Sequence, residues 1–153
     1  MIAKEYITKL GSISKKLKEF SDFLLLNGKA FKINHKEIKE LLEEYRIVLK
    51  EKGCYPNTQV LTILSNGKYK YCEGYGVLKS GIPLEHAWNL LEGDVVDISW
   101  NDGIEYFGIE MPYEFVERKY FENGIKEGLT KPLIVSWFIE QKGEKLAEVF
   151  RWR

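Results

Sequence analysis

The sequence has little cysteine, little histidine, little proline and no net charge, and each scarcity removes a class of protein. Its two cysteines, Cys54 and Cys72, show no CxxC spacing and no histidine cluster nearby. That excludes a disulfide framework and argues against a structural zinc. Lys and Arg number 23, as do Asp and Glu, so no overall field draws the chain to nucleic acid or an anionic membrane. The first 50 residues hold 11 basic against 7 acidic side chains, and the remainder 12 against 16. The lysines there alternate with apolar residues at helical spacing, which reads as a solvated helix face rather than a nucleic-acid arm. No apolar run approaches the ~20 residues of a bilayer span. The N-terminal "MIAKEYITKLGSISKK" has neither the apolar centre nor the cleavage site of a signal peptide. The expectation is a cytoplasmic protein with reduced thiols, no metal, no cofactor, no nucleic-acid partner and no membrane.

What is present suits one α+β domain over 1–153. A hydrophobic fraction of 44% and an aromatic fraction of 14% are enough for one core in 153 residues. Residues 12–26 place Ile13, Leu17, Phe20 and Leu24 on one helical face, stopped by Asn27-Gly28. Asn34 followed by Glu37 resembles a capping box, and the stripe Ile38, Leu41, Leu42, Tyr45, Val48 and Leu49 predicts a second helix up to Gly53. Residues 1–50 are therefore expected to be helical, with His35 solvated and without a role. A short helix opening at Cys54 tolerates Pro56 in its first turn and ends at Asn66-Gly67. "KYKYCEGYGVL", "EHAWNLL" and "DVVDISW" read as strands, the last two joined by a tight turn at Glu92-Gly93. "IEYFGIEM" predicts another strand and "PYEFVERKYFENG" a helix from Pro112, while "KPLIVSWFIEQ" fits strand or helix. The expected plan is a Cys-bearing helix on an antiparallel sheet, with 54–110 as the catalytic core and 111–153 as a mixed C-terminal part.

The hairpin carries the chemistry. A two-residue loop at Glu92-Gly93, or a four-residue loop at 91–94, sets Leu90 opposite Val95, Trp88 opposite Asp97 and His86 opposite Ser99. His86, Trp88, Asp97 and Ser99 then share a face, with His86 and Asp97 diagonal neighbours roughly 7–8 Å apart at the backbone. Cys54 at a helix start meets unpaired N–H groups and the positive end of the helix dipole, which favour a thiolate and suit an oxyanion. With Asp97 fixing the tautomer of His86, these are the parts of an activated nucleophile for acyl transfer. Each part alone has a plainer reading: a structural cysteine, a packing histidine, an aspartate that ends a hairpin. Cys72, inside a strand, is expected to be a packed thiol. Trp88, Asn57 and Glu73 are candidate substrate-binding residues, with structural roles equally open.

The order of these features resembles the core of the transglutaminase-like superfamily of papain-fold cysteine enzymes. "CYPNTQVLTIL", "YCEGYG", "HAWNLL" and "DISW" stand for that family's helix-start Cys, Gly-Tyr strand, His-Ala-Trp and Asp-x-Thr/Ser-Trp. The resemblance implies Cys54 as nucleophile, His86 as base then acid, and Asp97 as orienting carboxylate, acting on a peptide, protein or small amide. Ser99 replaces the commoner threonine, and Asn89 stands where an apolar residue is usual. Tyr106-Phe107-Gly108 after the aspartate is similar to small phage and bacterial members, which implies host cytoplasm for a phage-encoded chain. The alternative is a non-catalytic pocket protein that holds a peptide or nucleotide-like ligand, for instance a phage counter-defence factor.

Overall fold

A computed structural model describes residues 1–34, 37–127 and 132–142, with backbone alone at 123–127 and 142. It is mixed α+β, with helices α1 (Ile2–Leu10), α2 (Lys15–Asn27), α3 (Ile38–Glu44), α4 (Cys54–Leu64), α5 (Tyr113–Glu127) and α6 (Ile134–Lys142). Strands β1 (Lys29–Ala30), β2 (Lys70–Leu78), β3 (Pro83–Leu91), β4 (Asp94–Val96) and β5 (Gly103–Met111) form one antiparallel sheet in the order β1-β5-β2-β3-β4. No helix among the described residues is long and apolar enough to cross a membrane.

The sheet curls because one segment binds both of its edges. Lys29 and Ala30 pair with Gly108 and Phe107 of β5. Three residues on, Val95 of β4 donates to Lys32 O and accepts from Asn34 N, at 2.7 Å each. Residues 29–34 thus run from one edge strand to the other. Alternate residues of β2, β3 and β5 divide accordingly. Cys72, Trp88, Leu90 and Tyr106 fill the inside of the curl with Val95, Phe31 and Ile33. The opposite face, with Tyr71, Tyr75, Val77, Ala87, Phe107 and Ile109, is covered by α1, α2, α5, α6 and Tyr55 of α4.

This corrects the reading of residues 1–50 as helical. α2 stops at Gly28, where an added Cβ would meet Leu24 O at 2.6 Å and the Phe107 ring at 2.9 Å. Such close approach of α2 to β5 turns the chain into the sheet. α2 also starts later than expected: Ser14 caps it by accepting from Leu17 N, and Ile13 is left outside and exposed. The stripe from Ile38 to Leu49 is cut short as well. α3 begins after Glu37 without a side-chain cap and ends at Glu44, and Arg46 takes a left-handed φ of 54°. Val48 is 90% exposed. Residues 45–53 form a loop, and His35 lies outside the described residues.

Of "KPLIVSWFIEQ", Ile134 onward is helical, for a reason remote in sequence, and Lys131 lies outside the described residues. The buried Glu73 carboxylate accepts from Leu133 N at 2.5 Å and Ile134 N at 3.3 Å, satisfying free N–H groups at the start of α6. Tyr71 Oη donates to the same carboxylate at 2.6 Å. Burial outweighs these donors and lifts Glu73 from an ordinary 4.5 to about 7. Between those values the folded protein keeps a proton that the unfolded chain has released, so stability falls as pH rises through that window. Urea unfolding at pH 5 and pH 8 is expected to show that fall, with a slope approaching about one proton. Glu73→Gln is expected to flatten it; parallel slopes in the two proteins would mean that Glu73 does not titrate there.

Candidate active site

The turn at the tip of the hairpin is the two-residue loop expected from the sequence. Glu92 and Gly93 both take positive φ, 52° and 86°, and Leu91↔Asp94, Leu90↔Val95 and Asn89↔Val96 pair in that register. The ladder then stops at Val96, so the expected pairs of Trp88 with Asp97 and His86 with Ser99 do not form. Asp97 itself ends the strand. Its Oδ1 accepts from Ser99 N and Trp100 N, both at 2.9 Å, which folds the backbone into a turn.

The other oxygen of Asp97 reaches His86. Nε2 and Oδ2 are 2.8 Å apart, with both side chains almost wholly buried. Tyr106 Oη donates to the same Oδ2 at 2.7 Å. Three donors besides His86 surround this carboxylate, Ser99 N, Trp100 N and Tyr106 Oη, so the carboxylate accepts and the Nε2–H tautomer of His86 fits the contact. In the neutral ring, Nδ1 then carries a lone pair. That atom is buried without a hydrogen-bond partner among the described residues. Trp100 lies flat on the imidazole, with centroids 3.5 Å apart and planes 7° from parallel. Gly76 leaves room for this stack, since a Cβ there would stand 2.6 Å from the Trp100 ring.

Early termination of β4 has a second effect. Residues 91 and 89 of β3 pair with 94 and 96, so by alternation Ala87 directs its N–H to the same edge, where β4 is no longer present. Cys54, the first residue of α4, occupies that place: the Ala87 N–H stabilises its sulfur, as does that of Tyr55. Burial is the stronger influence and raises the thiol above its ordinary value, and the Asp97 and Glu73 carboxylates push the same way. That shift runs against the pull of the helix start toward thiolate. Cys54 and His86 line one cavity of about 930 Å³ together with Asn57, Ser99 and Trp100. No hydrogen bond joins Nδ1 to the sulfur, as the unpartnered state of Nδ1 requires.

The remaining predicted site residues are placed differently. Asn57 lines the cavity, but its amide is occupied: Oδ1 accepts from Lys50 N at 2.9 Å and Nδ2 donates to Lys50 O at 3.0 Å, with Ser99 Oγ at 3.4 Å. It fixes the 49–53 loop at the rim, and this tertiary pairing replaces the expected continuation of the second helix. Asn57→Ala would leave both Lys50 groups without their partner, at a cost of about 1–3 kcal/mol. Chemical denaturation is expected to show that loss; steady-state kinetics is expected to show a larger rise in KM than fall in kcat. Trp88 packs inside the curl beside Cys72, opposite which it is registered, and is absent from the cavity wall. Glu73 faces α6, and its role in the structure is to hold that helix. Cys72 is fully buried and its thiol is raised by burial, a packed cysteine as expected.

Sequence reasoning missed Tyr106 and Asn89 as working residues. Tyr106 was visible only as part of a resemblance, because its bond to Asp97 depends on β5 lying beside β2 in the curl. Asn89, odd among apolar neighbours, faces α4 and donates to Thr58 O at 3.0 Å and Thr62 Oγ1 at 3.1 Å. It ties the Cys-bearing helix to the His-bearing strand. Among the described residues no three His, Cys, Asp or Glu side chains gather as a metal ion would need. No known protein family, curated protein or solved structure matches the chain.

Proposed function

We propose that the protein is a thiol-dependent acyl-transfer enzyme of transglutaminase-like type, with Cys54 as nucleophile, His86 as base then acid, and Asp97 as the group that orients His86. One observation carries the reading: a buried imidazole is tied by one nitrogen to a carboxylate, has its other nitrogen unpartnered, and belongs to a residue that lines one cavity with a thiol. An orphaned buried acceptor is costly, and catalysis is a reason to retain one.

The direction of the thiol's shift fits an order in which the proton leaves as the sulfur attacks. Cys54 S–H gives its proton to His86 Nδ1 as the sulfur attacks the carbonyl carbon, and the C=O electron pair moves to oxygen. At the start of α4 no side chain caps the helix; Tyr55 N–H faces the sulfur, Pro56 has none and Asn57 N–H is held by Gly53 O, so the Cys54 N–H is the group left for that oxyanion. When the C=O bond re-forms, the bond to the leaving amine breaks and the amine takes the proton from Nδ1. The resulting thioester on Cys54 is released by water, as in an amidase or peptidase, or by a second amine, as in a transglutaminase. In either case the acceptor gives Nδ1 its proton, and the thiolate that leaves recovers it.

A pocket protein without turnover is the second reading, favoured by the raised thiol and the missing bond between sulfur and imidazole. Trapping separates the two. Incubation with p-nitrophenyl esters, followed by acid quench and mass spectrometry, is expected to give an acyl adduct on Cys54 and none on Cys54→Ala. Iodoacetamide labelling of Cys54 is expected to rise with pH through a midpoint above that of a free cysteine. Equal ester turnover by wild type and Cys54→Ala would leave the binding reading in place.

A further inference from the structure

The cavity beside Cys54 has two unlike walls. One comes from α1 and α2, which contribute Tyr6, Ile7, Leu10, Leu17, Phe20 and Leu24. The only other residue from these helices on that wall is Ser21, whose hydroxyl is used up by Ile7 O at 2.6 Å. α2 is rich in charge, yet none of its charged side chains lines the cavity, and Lys18 and Asp22 pair with each other in solvent. The rest of the lining is mixed: it carries Lys50, Glu51, Lys52 and Glu85 with Cys54, Asn57, His86 and Ser99, beside the apolar Leu49, Pro83, Leu84 and Trp100. Besides the Ser21 hydroxyl, already donated to Ile7 O, the first wall offers only the Tyr6 hydroxyl, so a polar or charged group there would lose most of its water without replacement. An apolar group would lose nothing and gain contact.

We infer that the acyl half of the substrate is a bulky apolar group that lies against α1 and α2, while the leaving amine faces the charged rim. This rests on the acyl-transfer reading of Cys54 and His86, and adds to it the substrate class. α1 and α2 lie outside residues 54–100, so the core residues do not fix this preference. A cavity of about 930 Å³ is large enough for an aliphatic chain of several carbons or a large hydrophobic side chain. Leu10, Leu17 and Tyr6 are only half-buried, so the wall is open to such a group without unfolding the core.

The test uses p-nitrophenyl acetate, butyrate and octanoate and the anionic p-nitrophenyl succinate, each with wild type, Leu17→Asn, Leu10→Asn and Cys54→Ala. Each ester passes its acyl group to the Cys54 sulfur with release of p-nitrophenolate, and water then hydrolyses the thioester. Wild type is expected to prefer octanoate over acetate by at least about tenfold in kcat/KM, with succinate below both. Either asparagine variant that melts like wild type is expected to lose most of that preference, through a larger fall in kcat/KM on octanoate than on acetate. Equal rates on acetate and octanoate, or a preference for succinate, would overturn the inference and leave the acyl-transfer reading standing. Calorimetry of octanamide and acetamide with Cys54→Ala reads the pocket without chemistry. If no ester is turned over, tighter octanamide binding supports the apolar wall while the enzyme reading falls, and equal binding removes both.

Discussion

Asp97→Asn is expected to lower kcat by on the order of 10³–10⁴-fold while leaving a folded protein. Asp97 accepts four hydrogen bonds, and two of them, from Ser99 N and Trp100 N, form the turn that ends β4. An asparagine oxygen can keep those two. Its amide nitrogen then faces His86 Nε2, which must become an acceptor, so the ring hydrogen moves to Nδ1. The lone pair that would receive the Cys54 proton is thereby lost. Tyr106 Oη loses its acceptor at the same time, so some loss of stability accompanies the change. Turnover of the best p-nitrophenyl ester, read beside a thermal melt, checks this. A variant within about tenfold of wild type in kcat would show that Asp97 only terminates a strand.

Gly74→Ala is expected to have the largest effect on stability. Gly74 lies opposite Gly108 on one side and His86 on the other. An added Cβ would run into the Phe107 carbonyl oxygen and stand 2.5 Å from Gly108 Cα, so backbone and not a movable side chain is in the way. β2 and β5 would have to separate in the tightest part of the curl. The expected cost is about 4 kcal/mol or more, at the upper end for one substitution, seen as a large drop in melting temperature or loss of soluble protein. Gly81→Ala is the control. Its φ of 89° makes alanine strained, but nothing lies within 4 Å of the added Cβ, so only the backbone cost of about 1–2 kcal/mol is expected. Similar losses at both positions would mean that close strand approach at Gly74 is not what the glycine supplies.

The hairpin was the most legible part of the site. Its register depends on a two-residue turn and on strict alternation, both local, and Leu90↔Val95 forms as the sequence implies. The meeting of His86 with Asp97 was also legible, though the route differs: the aspartate reaches the imidazole from a turn and not from a continuing strand. Cys54 at a helix start was read from composition and from Pro56. Its ionisation was not legible, because the helix start is local while the burial and the carboxylates that raise the thiol come from other elements.

The sequence by itself determined the periodic elements, the turn that sets the hairpin, and the identity of the residues that could act together. These follow from steric preference and side-chain alternation over a few neighbours. Only the tertiary structure decided the rest. Residues 29–34 became a bridge between sheet edges because Val95 pairs with Lys32 and Asn34. Residues 134–142 became a helix in spite of branched Ile134 and Val135, because a carboxylate about 60 residues earlier binds the N–H groups at its start. The loop after α3 replaced a helix because Asn57 holds Lys50. In each case a hydrogen bond from a distant residue outweighed a local preference of a few tenths of a kcal/mol per residue. Whether His86 and Cys54 would face one cavity was settled in the same way, by Asp97 ending β4 and freeing the Ala87 N–H for the sulfur.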